Sequence, residues 1–450
     1  LSGDALRIAL LTYRGNPFSG GQGIYVRHLS RELAGLGHDV EVLSGPPYPV
    51  LDPGVRLTEV PSLDLYREPD PFRMPRRSEY RDWIDVLEVA TMMKGGFPEP
   101  LTFSLRARRL LAARAADFDV VHDNQTLGYG LLGLRRIGLP LVTTVHHPIQ
   151  IDRDLEIAAA PTAKRKAAVR RWYGFLTMQR RVTSRLTDLL TVSSSSKDEI
   201  VKHLGADPAQ VRVVPIGTDP EVFRPDPAAT VPGRVVTTAS ADVPLKGLRP
   251  LVEAMAKVRT ERDAHLLVVG RPRDDGPGGA LREEYGPDLV RFTGRLSEQD
   301  LVATLNSAEV IAVPSLFEGF SLPLVEAMAC GKPVVATTGG ALPEVAGPDG
   351  GAARLVPPGD PQALAAVLTE LLDDPAQRAR LGAAGRRRVL ENFTWRVAAQ
   401  RTVASYRAAM AALPGGVAAA DDVSADGTDG RDGAAATSGA AYKGTDTTTC

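Results

Sequence analysis

Short apolar runs alternate with amphipathic stretches twice along this chain, and no other feature restricts its fold as strongly. The first series comprises Leu6 to Tyr13, Asp39 to Leu43, Val120 to His122, Leu141 to His146, Leu189 to Ser193 and Val211 to Pro215. A second begins afresh at Arg234 to Thr238 and continues through His265 to Gly270, Val290 to Gly294, Val310 to Pro314, Pro333 to Ala336 and Arg354 to Val356. Runs this short and this apolar suit strands covered on both faces, as in parallel sheets flanked by helices. Between the first two runs, Tyr25, Leu29, Leu33 and Leu36 share one face of a predicted helix from Gln22 to Leu36, with Gly35 and Gly37 at its end. The pattern predicts an α/β chain of two doubly wound, Rossmann-like domains facing a cleft.

Proline density in Pro215-Ile-Gly-Thr-Asp-Pro220 and Phe223-Arg-Pro-Asp-Pro227 marks a hinge between the two series. The expected units are an N-terminal domain over 1–215, a linker over 216–232, a C-terminal domain over 233–394 and a helix over 395–412 returning to the first domain. Residues 46–103 break the rhythm with prolines among polar and aromatic side chains. They read as an elaborated loop region, either a surface insertion or a place for a specific substrate contact. From 413 to 450 the chain turns to Gly, Ala, Asp, Ser and Thr, which cannot offset their ordering entropy, so a disordered tail is expected.

Lys and Arg total 53 against 54 Asp and Glu, so there is no global basic field to hold nucleic acid. Cys330 and Cys450 are too few for a disulfide framework. No apolar run approaches the roughly 20 residues of a spanning helix, and the opening Leu-Ser-Gly-Asp-Ala-Leu-Arg shows no leader pattern. A cytoplasmic protein is expected.

The segment from Val310 to Ala336 reads as strand, glycine-containing loop, helix, glycine stop and strand. Ser321 suits the N-cap, and Pro323 in the first turn lacks an N–H that would be unpaired anyway. The remaining N–H groups and the helix dipole favour a phosphate. Glu326 lies four residues after Leu322 on the same face and leans toward the helix N-terminus, where a carboxylate could take the two hydroxyls of a ribose. Glu318, in the preceding loop, could accept from hydroxyls of a second sugar. Taken alone, the two acids serve equally well as a loop charge and a dipole-favoured helix residue.

In sequence, Glu318-Gly-Phe-Ser-Leu-Pro-Leu-Val-Glu326 closely resembles the E-x7-E signature of glycosyltransferase family four (glycosyl transferases group 1), retaining nucleotide-sugar transferases of the GT-B fold. The Pro-Ser before it and the Glu-Ala-Met-Ala-Cys-Gly-Lys-Pro-Val-Val after it match too, and the likeness spans roughly 6–45 and 117–412. The resemblance implies that Glu318 contacts donor-sugar hydroxyls, that Glu326 holds the ribose, and that backbone amides of Phe320, Ser321 and Leu322 meet the sugar and pyrophosphate. Lys246, in Pro-Leu-Lys-Gly, would neutralise the leaving diphosphate. His146, ending Val-Thr-Thr-Val-His, would sit by the donor sugar, and Gly20 and Gly21 near donor phosphate and acceptor. The implied reaction moves a hexose from a nucleotide-sugar, UDP-linked first with GDP and ADP as options, to a hydroxyl of a small molecule, glycan or lipid. No metal and no further cofactor is implied.

The chain departs from the family in two places. The arginine usual five or six residues before the lysine is replaced by Ala241 and Ser240, so either Arg271 or Arg295 takes over its charge or the donor phosphate is held less tightly. Ile216 stands where asparagine is usual in the hinge and cannot supply its hydrogen bonds. Gly20 and Gly21 do not extend to a dinucleotide fingerprint, because the third glycine position is Val26. Asp117-Phe-Asp119 and Asp152-Arg-Asp154 spell D-x-D, a short pattern that chance produces often, and no metal site is expected from them. Lys164 to Arg185 holds eight basic residues and no acid, with Val169, Trp172, Phe175, Leu176, Met178 and Val182 interleaved. This segment reads either as a domain helix with a solvated face or as a peripheral contact with the inner face of a membrane. The alternatives to a transferase are a degenerate GT-B scaffold subunit and a GT-B phosphorylase using phosphate and pyridoxal.

Overall fold

A computed structural model describes residues 5–15, 21–238, 242–273 and 276–413. The first sheet contains β1 (Arg7–Thr12), β2 (Asp39–Ser44), β3 (Arg56–Glu59), β4 (Val120–Asn124), β5 (Leu141–Thr144), β6 (Leu189–Thr191) and β7 (Val211–Val213). Its strands are parallel in the order β3-β2-β1-β4-β5-β6-β7. The second contains β8 (Arg234–Thr237), β9 (His265–Val268), β10 (Val290–Phe292), β11 (Val310–Val313), β12 (Val334–Thr337) and β13 (Arg354–Val356). These are parallel in the order β10-β9-β8-β11-β12-β13.

Helices cover both faces of each sheet. The first domain carries α1 (Gly21–Gly35), α2 (Trp83–Met93), α3 (Glu99–Ala113), α4 (Gln150–Ala159), α5 (Ala163–Trp172), α6 (Leu176–Thr183) and α7 (Ser194–Leu204). The second carries α8 (Leu248–Arg259), α9 (Pro277–Tyr285), α10 (Glu298–Asn306), α11 (Leu322–Ala329), α12 (Leu342–Ala346), α13 (Pro361–Asp373) and α14 (Pro375–Asn392). The last helix is α15 (Trp395–Ala411). This is the GT-B architecture of two parallel-sheet α/β domains. Among the described residues no helix is long and apolar enough to cross a membrane. The tail expected to be disordered lies outside the described residues from 414 onward.

Each sheet reverses its winding once, between β1 and β4 and between β8 and β11. Carboxyl ends of neighbouring strands part there, opening a crevice where doubly wound folds bind ligands. The chain therefore brings the loops after β1, β4, β8 and β11 to its candidate sites by topology alone.

Every apolar run singled out in the sequence becomes a strand. The region 46–103 differs from the expected loop: it contains β3, α2 and the start of α3. β3 is an edge strand with mostly exposed side chains and so has no apolar run. On α2 the inner face includes Asp85 and Glu88, both fully buried against Arg106, with Asp85 2.6 Å from its guanidinium. A helix that buries charge in ion pairs shows no clean apolar period.

The chain passes between the domains twice, and the passages touch. Gly217 lies so close to the 393–394 backbone that an added Cβ would sit 2.3 Å from the Thr394 carbonyl carbon. The Thr218 N–H donates to the Phe393 carbonyl at 2.9 Å. Ile216 packs against the cores of both domains, which accounts for an apolar side chain at the hinge. After Thr394 the chain returns to the first domain, where Trp395, Ala399, Val403 and Tyr406 of α15 pack with Tyr25, Leu29 and Leu33 of α1.

A buried polar chain pins α15 to the sheet. The Tyr406 hydroxyl is 2.6 Å from His122 Nδ1, and His122 Nε2 is 2.8 Å from Thr144 Oγ1, which is 3.0 Å from the Tyr25 hydroxyl. Burial pushes the His122 imidazole down to about 3, so it is neutral at physiological pH. Tyr406→Phe leaves a ring nitrogen buried and unpaired, and is expected to cost about 1–3 kcal/mol. Urea unfolding of the variant checks this, and an unchanged midpoint would contradict the network's role.

Candidate active site

Two loops of the second domain are zipped together at its switch point. After β8, Pro244–Lys246 form one turn of 3-10 helix ending at Gly247, whose φ is +66°. A Cβ on Gly247 would lie 1.9 Å from the Pro314 carbonyl oxygen at the end of β11. Only glycine permits that approach. The Leu316 N–H then donates to the Leu245 carbonyl at 2.8 Å, fixing the register of the two loops.

This register brings Lys246 and Glu318 together. The Lys246 ammonium is 2.8 Å from Glu318 Oε1 and 3.0 Å from Oε2. Ser315 Oγ donates to the same Oε1 at 2.6 Å, and the Thr337 hydroxyl in turn donates to the Ser315 carbonyl. Lys246 keeps 34% of its side chain exposed while Glu318 keeps 11%, so the ammonium is the member facing the cleft. A cavity of about 20 Å³ lies beside the pair, lined by Thr238, Pro314 and Pro323 among others.

The loop then enters α11. Ser321 has φ +108°, a conformation that costs a non-glycine residue energy and recurs at ligand sites. It is the N-cap, its Oγ accepting from the Leu324 N–H at 3.4 Å. Phe320 turns its ring into the core against Phe393, with centroids 5.8 Å apart, and Leu322 is half-buried. The contribution these three can make to a ligand is therefore mainly through the backbone.

Glu326 is half-buried one turn along α11. Its carboxyl has no hydrogen-bond partner among the described residues. Burial, and then the negative charge of Glu298, push it up to about 7. A strongly perturbed acid without a partner among the described residues, one turn along the helix that the motif loop enters, is a mark of a functional site.

In the first domain His146 follows β5 at the sheet's carboxyl edge. Its ring meets the Tyr25 ring edge-on at 4.6 Å between centroids, and its Nε2 is 2.8 Å from Asn124 Oδ1. Burial pushes the imidazole down to about 3, helped by neighbouring His147, so it stays neutral. Gln125 holds the backbone here: its Oε1 accepts from the His146 N–H at 2.6 Å and its Nε2 donates to the His147 carbonyl at 2.7 Å. Gln125 itself has φ +52° and is stabilised by Asp123 at the end of β4, whose Oδ2 accepts from the Thr126 and Leu127 N–H groups at 3.1 and 3.2 Å. Burial pushes Asp123 up to about 7.

The two halves meet at the motif loop. The hydroxyls of Ser193 and Ser196, at the start of α7, both donate to the Gly319 carbonyl, Ser196 at 2.9 Å. The Ser194 N–H donates to Glu344 of α12 at 2.8 Å. The sequence reading missed these serines, Ser315, Asn124 and Gln125. A signal was present: Ser193 to Ser196 is an unbroken polar run after an apolar strand, and His122 to Gln125 puts four polar residues at the end of another.

Arg271 and Arg295 follow β9 and β10 at the same edge of the second sheet. The Gly294 N–H donates to the Gly270 carbonyl at 3.1 Å, bringing the two loops side by side. Both arginines are exposed, and neither makes a hydrogen bond or ion pair among the described residues. Gly21 opens α1, whereas Gly20, Ser240 and Ala241 lie outside the described residues. The D-x-D acids are engaged elsewhere: Asp119 with Arg7, Asp117 with Arg114, Asp152 with His147 and Asp154 with Arg153.

Comparison with known proteins gives a consistent family. The profile described as Glycosyltransferase Family 4 matches residues 19–222, and that described as Glycosyl transferases group 1 matches 232–374. The chain is 57% identical over 408 residues to the MMP alpha-(1->4)-mannosyltransferase of Mycolicibacterium hassiacum, covering 90% of this chain and 99% of that one. It is 29% identical to the D-inositol 3-phosphate glycosyltransferase of Streptomyces coelicolor, over 90% of this chain and 92% of that one. Among solved structures, a sucrose-phosphate synthase from Thermosynechococcus elongatus aligns with a TM-score of 0.67 and 26% identity, covering 90% of this chain and all of that one.

A ribose whose hydroxyls donate to Glu326 needs the carboxylate ionised. With its titration near 7, the ionised fraction rises from about a tenth at pH 6 to about nine tenths at pH 8, so nucleotide affinity should rise up to about tenfold over that range. Calorimetric titration at both pH values, with Glu326→Gln as reference for the nucleotide's own ionisation, checks it. A variant that keeps the wild-type slope would contradict the assignment.

Proposed function

Because the chain belongs to family four of the glycosyltransferases, group 1, we propose that it transfers a mannosyl residue from a nucleoside diphosphate-mannose to the 4-hydroxyl of an α-mannoside, with retention. The choice of sugar and linkage is supported by the mannosyltransferase with which it shares 57% identity across nearly that protein's whole length. The observation that carries the reading is the Lys246–Glu318 pair in the loop that leads into α11, with Glu326 on that helix unpartnered among the described residues.

In this reading Glu326 holds the ribose and the 320–322 amides face the sugar and pyrophosphate. Lys246, held in place by Glu318, turns its remaining N–H donors to the diphosphate, whose charge grows as the bond to the anomeric carbon breaks. Arg271 and Arg295 supply the positive charge that an arginine before Lys246 would otherwise provide, and the reaction proceeds without a metal ion. Glu318, still holding Lys246, accepts from a sugar hydroxyl with a remaining lone pair, and neutral His146 offers a ring nitrogen to the sugar without adding charge. The acceptor hydroxyl attacks from the face the diphosphate leaves, and its proton passes to the departing phosphate oxygen. An α-linked donor then gives an α-linked product.

Incubation with GDP-, UDP- and ADP-linked mannose and a short α-mannoside tests this by NMR of the product. The expected result is one preferred donor, a new α-(1→4) linkage, and unchanged turnover after chelation with EDTA. A β linkage, no transfer from any of the donors, or loss of turnover on chelation would overturn it.

A further inference from the structure

The basic segment from Lys164 to Arg185 finds only part of its explanation in the fold. Its apolar members Val169, Leu176, Met178 and Val182 are buried in the domain, so they are not available to lie in a lipid surface. The arginines of α6 point elsewhere. Arg180 and Arg181 line a cavity of about 470 Å³ with Gln150 and Arg153 of α4 and Lys202 and His203 of α7. No acidic residue lines it.

Of the five basic groups that line this cavity, Arg180 and Arg181 have no acidic partner among the described residues. Arg180 makes no ion pair or side-chain hydrogen bond among the described residues, and Arg181 reaches only the Tyr129 hydroxyl at 3.3 Å. The neighbouring acids are committed: Asp154 to Arg153 at 2.8 Å, and Glu199 to His203 at 3.0 Å and to Lys202 at 3.9 Å. Gln150, also in the lining, is only 5% exposed, yet its side chain makes no hydrogen bond among the described residues and its Oε1 is sealed from solvent. Buried amides are ordinarily paired, and an acceptor that lines a cavity unpaired marks the place of an absent donor, such as a hydroxyl on the group that carries a phosphate.

We propose that this cavity is a second binding site, for a phosphate-bearing ligand. Arginine guanidinium groups converging with a lysine are suited to a phosphate, which takes several charge-assisted hydrogen bonds at once. The volume lies in the range of small-molecule sites. It exceeds what a bare phosphate needs and admits the group that carries it, a phosphorylated sugar or polyol, or a lipid headgroup. The site is set apart from the motif loop: Lys202 lies about 9 Å along α7 from Ser196 and about 13 Å from Ser193, the serines that touch Gly319. It is also independent of the donor chemistry proposed above.

The test uses the full chain with its cleft saturated by nucleoside diphosphate, so that the donor site cannot report. Glycerol 3-phosphate is titrated calorimetrically, and vesicles of equal phosphatidylglycerol and phosphatidylcholine are compared with pure phosphatidylcholine by flotation. The double variant Arg180→Gln/Arg181→Gln should weaken binding at least tenfold, while Lys164→Gln/Arg165→Gln, on the same segment but outside the cavity, should change it less than twofold. Binding of glycerol phosphate identifies a free solute, and binding of anionic vesicles alone identifies a headgroup. Binding to neither probe, or equal weakening by both double variants, would overturn the proposal.

Discussion

The ion pair between Lys246 and Glu318 fixes the geometry on which the candidate site depends. It joins the loops that leave β8 and β11, the two strands between which the second sheet reverses its winding. Backbone contacts on either side, Gly247 against Pro314 and Leu316 onto Leu245, leave the pair little freedom to form anywhere else. With Glu318 held, the following residues turn sharply at Ser321 to enter α11, the helix that carries half-buried Glu326, which has no partner among the described residues. A charged pair held this way also keeps Lys246 positioned before any ligand arrives, which reduces the reorganisation a binding event requires.

The first domain is tied to this point from two directions. Ser193 and Ser196 hold the Gly319 carbonyl directly. The second link is indirect: α15 crosses back from the second domain and joins Tyr406, His122, Thr144 and Tyr25 in one buried chain, and Tyr25 then packs edge-on against His146. The returning helix therefore shapes the surroundings of the first domain's candidate residue, while the Gly217–Thr394 contact confines domain motion to two adjacent passages of chain.

The strands were legible because parallel strands buried on both faces must be apolar, and Val120, Val310 and Val334 carry that signal without help from the rest of the chain. The E-x7-E loop was legible for a different reason, since its cap, proline and glycines are each demanded by local backbone geometry. What escaped was structure stabilised by distant partners. α2 buries Glu88 against Arg106 arriving from α3, which together with the local Arg81 also pairs Asp85, and β3 gains its place only by pairing with β2. The serines at the start of α7 acquire meaning only once the second domain sets Gly319 against them. In the same way, nothing in the sequence says that Arg180 and Arg181 share a cavity with Gln150, which lies on another helix.

The most direct test of the account is a double-mutant cycle on turnover at saturating donor, with Lys246→Ala, Glu318→Gln and the two combined. If the pair acts as one unit at the leaving group, the double variant should be no slower than the slower single variant to within about threefold. Losses that multiply across the cycle would show two independent contributions and contradict the claim that the site is organised around this pair.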